Sequence, residues 1–460
     1  MNSATPLPAA SQTLDRDTGP RFAVPYSLSA GGASFIVLPL STVLVDVFAR
    51  FHGLSLEDLS WLLALVGILA SAVSPVLGIL ADQYSLRNNG RKNFVVASLL
   101  CMTVAGFELM YPLGSVGVLY FLFWNIVLRF AQISYDVAHL AWGAELAKTH
   151  HDSTRLFSVR TIISCIGAVM FYAISILPGY APNGITPEVL RREGIVIAIL
   201  MIPILHWTMR YVPNIARPHP SSTPATLAAL RQVLSNRPFR TLVWISVLLS
   251  IGEGMWVSLS FVVYDYYYSL GTSLPKTYII SYSLTATILP LISKLCAVRS
   301  KKLAFALLQL AFIVLISVSQ FAVSGTIGTL IRCSALIGVQ IILLCNFVVI
   351  NALLADSIDY GKWRHGVSNG ATYFAASGFL AGVAGSIGSS SGLFFLARSG
   401  FSSQGVSSLN DARAGTLVAF YLVPALTSLV AIPLIMRFPI GERGAAAIRR
   451  RLAARAASAA

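Results

Sequence analysis

The chain has 460 residues, of which 56% are hydrophobic and only 11% charged, and its mean hydropathy is +0.73. Soluble folds carry about 25% charged residues, and disordered chains pair low hydrophobicity with high net charge. Both classes are excluded, and long unbroken apolar runs exclude a β-barrel. The net charge of +15 comes from 33 Lys and Arg against 18 Asp and Glu. In so apolar a chain it reads as basic loops retained on the cytoplasmic side, not as a nucleic-acid footprint. The composition describes an all-α integral membrane protein.

Twelve apolar runs follow one another, at 26–49, 59–82, 94–113, 116–146, 156–179, 193–212, 240–268, 276–298, 303–323, 326–356, 368–397 and 412–437. With both termini cytoplasmic, 25 Lys and Arg fall on the inner side and 6 on the outer, while Arg129 and Arg332 lie within spans. That asymmetry predicts a multi-pass protein of the cell (inner) membrane with twelve transmembrane helices. The predicted order is a tail at 1–25, a six-helix bundle at 26–212, a linker at 213–239, a second six-helix bundle at 240–437 and a basic tail at 438–460. Polar residues at the start, Asp15, Arg16 and Asp17 among them, argue against a cleaved signal peptide. The five cysteines lie singly in apolar runs, so neither a disulfide framework nor a zinc site is expected.

The two halves echo each other. Run four ends in Ala144-Glu145-Leu146 and run ten in Ala355-Asp356-Ser357, each an acidic residue at a cytoplasmic helix end. Runs two and eight each carry a proline at mid-depth, Pro75 and Pro290. Two parallel six-helix repeats are the plan of the major facilitator fold. No nucleotide-binding G-x-x-x-x-G-K-[ST] motif is present, and none of the convergent motifs of an intramembrane enzyme is present either. Neither a cofactor nor a metal is expected.

Charged groups inside an apolar run are costly and point to function. Arg129 and Asp136 in run four are seven residues apart and share a helix face with His139. Glu253 in run seven is flanked by two glycines, and Arg332 lies in run ten. These five are the candidate substrate- or proton-binding residues. Asp46 and Asp265, near outer helix ends, read as solvated. The tyrosines at 264 and 266–268 read as an interfacial aromatic belt, and Trp142 and Trp256 could stack on a sugar ring or simply pack.

Three loop motifs carry a resemblance. They are Pro75-x-x-Gly78-x-x-x-Asp82 leading to Arg91, Trp142-Gly143-Ala144-Glu145-Leu146 leading to Arg155 and Arg160, and Asp356-Ser357-Ile358-Asp359-Tyr360-Gly361-Lys362-Trp363. With Asn236-Arg237-Pro238-Phe239 they resemble the glycoside–pentoside–hexuronide:cation symporters, the melibiose-permease-like branch of the major facilitators. The resemblance implies a cytoplasmic gate of Asp82, Arg91, Glu145, Arg155, Arg160, Asp356 and Asp359. The family's two helix-two cation aspartates fall on Ala70 and Ser74, its sugar-contacting helix-one aspartate on Ser34, and its helix-eleven lysine near Gly382. Only the helix-four aspartate persists, as Asp136. A sodium site of several carboxylates is therefore not expected.

The expected function is secondary transport of a small polar solute, a sugar or glycoside first, by alternating access, with a proton as candidate coupling ion. The alternatives are a carrier of an amphiphile or secondary metabolite, and a non-transporting sensor derived from a carrier. A monomer in the lipid bilayer, with a small-molecule substrate and no nucleic acid, is the expected setting.

Overall fold

A computed structural model describes residues 22–85, 90–112, 116–146, 150–176, 185–213, 233–298, 300–322, 325–365, 370–402, 405–406 and 409–459. The first half contains α1 (Ala23–His52), α2 (Leu56–Ser85), α3 (Gly90–Met110), α4 (Val118–Leu146), α5 (His150–Ile174) and α6 (Pro187–Tyr211). The second contains α7 (Arg237–Val262), α8 (Leu274–Val298), α9 (Lys301–Gln320), α10 (Thr326–His365) and α11 (Gly370–Arg398). The twelfth helix, α12, runs through Leu409–Thr416, a π-helical stretch Leu417–Leu422, and Val423–Met436. A last helix, α13 (Glu442–Ala459), follows. The only strands among the described residues are Phe401–Ser402 and Gly405–Val406, paired as a minimal antiparallel hairpin.

Ten of these helices are long and apolar enough to cross a membrane. The two others, α6 and α8, have 25 residues each, and α6 opens with Glu188, Arg191, Arg192 and Glu193. Local chemistry sets several ends. Gly53 closes α1 in the left-handed region at φ 72°, where a residue without Cβ is unstrained. Asn236 caps α7 by accepting from the Phe239 N–H at 3.3 Å, and Pro238 sits where its missing N–H costs nothing.

The helix pairing of the first half recurs in the second, displaced by six. The seams α1–α5, α2–α4, α3–α4, α3–α6 and α1–α6 reappear as α7–α11, α8–α10, α9–α10, α9–α12 and α7–α12. Between the halves, α2 packs on α11, α5 on α8 and α1 on α7, whereas α4 and α10 form no seam with the opposite half. The two equivalent seams α1–α5 and α7–α11 are both made by bare backbone. A Cβ on Gly167 would stand 2.0 Å from the Gly31 carbonyl oxygen, and one on Gly254 would stand 2.4 Å from that of Gly385.

The helix of the tenth span continues past 356 to His365. The basic tail is a helix, and Arg455 of α13 donates to the Trp363 carbonyl of that extension at 2.9 Å. Arg160 stands within the apolar span Leu156–Ile174 of α5, inside the run at 156–179. Most of the linker lies outside the described residues.

Candidate functional site

We call the end at which α1 and the other odd-numbered spans begin the basic face. Asp136 sits in the apolar span of α4, yet its side chain is 42% exposed. Its helix packs within its own half and has no seam with the other half. From α5, Arg160 donates through Nη2 to Asp136 Oδ1 at 3.2 Å and through Nε to His139 Nδ1 at 3.2 Å. Accepting at Nδ1 puts the imidazole proton on Nε2, which faces the Tyr26 carbonyl at 3.1 Å and Ser29 Oγ at 3.0 Å. His139 is therefore held neutral by its partners. It is fully buried between the rings of Tyr26 and Tyr135, at centroid distances of 4.0 and 4.9 Å. It stands behind Arg160.

The cluster closes through hydroxyls. Ser29 Oγ and Tyr135 OH are 3.0 Å apart, and the Tyr26 hydroxyl donates to the His139 carbonyl at 2.7 Å. That hydroxyl needs the bare backbone of Gly143, where a Cβ would stand 2.3 Å from it. On the other side of Asp136, Arg129 donates to Gln132 Oε1 at 3.0 Å, and Gln132 reaches the Asp136 carboxylate. Arg129 and Asp136, which share a face two turns apart, are thus linked through the amide of Gln132.

The second half carries a neutral counterpart. Asn346 of α10 donates to Glu253 Oε1 at 2.8 Å and accepts from Gln309 Nε2 at 2.9 Å. Arg332 does not join them. It donates to the Ala322 carbonyl at 2.7 Å and lies 4.2 Å over the Tyr268 ring, near the face opposite the basic one.

The gate residues are placed as follows. Asp356 is buried and takes Lys301 Nζ at 2.6 Å, a pair within the second half. Beside it, Asn236 Nδ2 donates to the Ser357 carbonyl at 3.0 Å and to Tyr373 OH at 2.7 Å, tying the start of α7 to the Asp356-Ser357 motif. Arg91 is buried at the start of α3, and Asp359 is half-buried on the α10 extension. The side chains of Asp82, Glu145 and Arg155 lie outside the described residues. Arg160 belongs with Asp136, not with this group.

The opposite face is closed across the halves. Arg50 of α1 bonds Asp265 beyond α7. Tyr172 of α5 stacks on Tyr278 and Tyr282 of α8 at 4.8 and 6.2 Å. Deeper in, a Cβ on Gly67 of α2 would stand 1.9 Å from Ser386 Oγ of α11. Asp46, expected to be solvated, is 1% exposed. Tyr264 and Tyr268 are not a lipid-facing belt. Tyr264 is buried with its hydroxyl on the Arg332 carbonyl at 3.2 Å, and the Tyr268 and Tyr421 hydroxyls meet at 2.7 Å. Trp142 and Trp256 are buried packing residues, the first donating to the Pro213 carbonyl at 3.3 Å and the second stacked on Phe420.

A family described as MFS/sugar transport protein matches residues 25–442. The chain belongs to that family. Among solved structures, it is similar to the nucleoside transporter NupG, at 14% identity and a TM-score of 0.64 over 91% of this chain and 98% of that one. It is also similar to the partially occluded inward-open xylose transporter XylE from E. coli, at 16% identity, a TM-score of 0.59 and coverage of 92% and 98%. A D-xylose–proton symporter gives 15%, 0.60, 91% and 97%. No curated protein sequence matches. As an MFS protein this chain is a secondary carrier of small solutes, and the sequence reading of fold and family stands.

The resemblance to the melibiose-permease branch has a physical limit at one position. A Cβ on Gly382 would stand 2.5 Å from Ser71 Oγ, so a larger residue there requires the Ser71 side chain to move.

Proposed function

We propose that this MFS protein moves a sugar or glycoside across the cell membrane by proton-coupled alternating access, with the basic face cytoplasmic. One observation carries the reading. Asp136 is a carboxylate at membrane depth, 42% exposed on a helix that the opposite half leaves uncovered, and held by a charge partner on the neighbouring helix. A carboxylate so placed can accept hydroxyl groups of a polar solute or take up a proton in exchange for Arg160. Proton rather than sodium coupling is favoured because Ala70 and Ser74 carry no charge. Among the described residues, no three His, Cys, Asp or Glu side chains converge as a metal site. The name of the D-xylose–proton symporter, a structural relative, agrees with such coupling.

The packed opposite face supports reading this as a state open toward the basic side. Gating by Glu145, Asp356 and Asp359 belongs to the same proposal. The test is uptake into proteoliposomes across a panel of sugars, glycosides and nucleosides, with and without a pH gradient. Accumulation driven by the gradient and lost in Asp136→Asn is the expected result. Accumulation that follows sodium and survives in Asp136→Asn overturns it.

A further inference from the structure

At the face opposite the basic one, two carboxylates share a single guanidinium. Arg50 of α1 bonds Asp265, which sits in the π-helical turn Val263–Tyr267 that ends α7. Asp46 is one turn before Arg50 on α1, and its Oδ1 stays 3.7 Å from Arg50 Nη2, too far for a hydrogen bond. Asp46 is fully buried, and neither of its oxygens has a hydrogen-bond partner. An ionised carboxylate sealed away from water without such partners is strongly disfavoured.

Among the described residues, the neighbouring elements bring no second cation into ion-pair distance of Asp46. Besides Arg50, α1 carries His52 beyond it, and α5 brings Tyr172, whose hydroxyl meets Thr42 one turn deeper at 3.0 Å. From α6 comes Glu193, bonded to Ser175 at 2.6 Å. Only Arg50 and Asp265 lie within charge range of Asp46.

We propose that Asp46 is a proton-binding residue, which takes a proton from the opposite-face solution when Arg50 engages Asp265 across the halves and releases it when they part. This rests on the alternating-access reading but not on the role of Asp136. Parting carries Asp265 away with α7. Arg50 then closes on Asp46 four residues back, and the Asp46 proton returns to the same solution. The closed state holds one proton more than the open one, so acid on that face drives closure. The closed-to-open ratio changes by up to about tenfold per pH unit, the limit for one linked proton.

The experiment places a spin-label pair at Glu57→Cys and Thr272→Cys, both exposed at that face, in full-length protein in nanodiscs. Distances are read from mildly acid to mildly alkaline buffer. The short-distance population should grow as pH falls. Asp46→Asn should stay short throughout. Asp265→Asn, which frees Arg50 for Asp46, should shift toward long distances and lose the pH slope, and it serves if Asp46→Asn does not fold. A wild-type distribution indifferent to pH, an Asp46→Asn slope equal to wild type, or closure that follows sodium instead of protons overturns the assignment. If the pH slope is missing while the same protein still transports in proteoliposomes, Asp46 fails and the carrier reading stands.

Discussion

Arg160 on α5 lies 3.2 Å from Asp136 on α4, a charge pair at membrane depth. Neither charge is placed to act alone. Removing Asp136 leaves Arg160 on His139 alone, and removing Arg160 leaves Asp136 without the cation that holds it. Arg160→Gln is therefore expected to lower transport about as severely as Asp136→Asn. The double variant should be no worse than either single one, with a coupling energy of about 1–3 kcal/mol. Initial uptake rates for the three proteins measure this, and strictly multiplicative losses would show that the two side chains act separately.

His139 is expected to position Arg160 without titrating. His139→Gln, which keeps an acceptor, should retain most transport. His139→Ala should weaken substrate affinity roughly tenfold, about 1.4 kcal/mol, and neither variant should move the pH profile of uptake. A displaced profile would make His139 a proton carrier.

The Lys301–Asp356 pair is set within the second half and closes at 2.6 Å. Lys301→Met leaves a buried carboxylate without its cation, at a cost of about 3 kcal/mol for a fully buried pair and less here, where Lys301 keeps some solvent. Lys301→Met/Asp356→Leu should recover much of that loss. Thermal unfolding of purified protein is the measurement, and equal Tm values for single and double variants would contradict the pairing argument.

The basic face is predicted to be cytoplasmic. A cysteine at Glu57 should react with an impermeant reagent added to intact cells, and one at Arg364, exposed on the α10 extension, should react only after lysis. The reverse pattern would invert the whole topology.

Much of the fold was legible because hydropathy causes it. Each of the twelve runs became a helix, and errors arose where something else sets the boundary. The extension from 357 to 365 is too polar to register as a span, yet it is held by the docking of α13. Arg160 lay inside the run at 156–179, but its pairing with Asp136 across two helices could not be read from spacing along either one. Asp136 and Glu253 stood out as charges on apolar helices. Their partners Gln132, Ser29, Tyr26, Gln309 and Asn346 did not, since neutral polar residues are ordinary in spans and only folding shows which of them converge. Asp46 was read as solvated because its depth depends on how α1, α5 and α7 pack, which no local pattern encodes.

The paired seams of bare backbone have an evolutionary consequence. Where Gly167 meets Gly31 and Gly254 meets Gly385, a methyl group added at Gly167 or Gly254 would stand 2.0 or 2.4 Å from a facing carbonyl oxygen and must force two helices apart. Those positions are closed to drift, while the flanks of α4 and α10, free of any such seam, can vary without loosening the bundle. Selectivity in descendants of this chain should therefore diverge through α4 and α10, and laboratory libraries aimed at a new solute should diversify the surroundings of Gln132 and Asn346 and leave the glycines untouched.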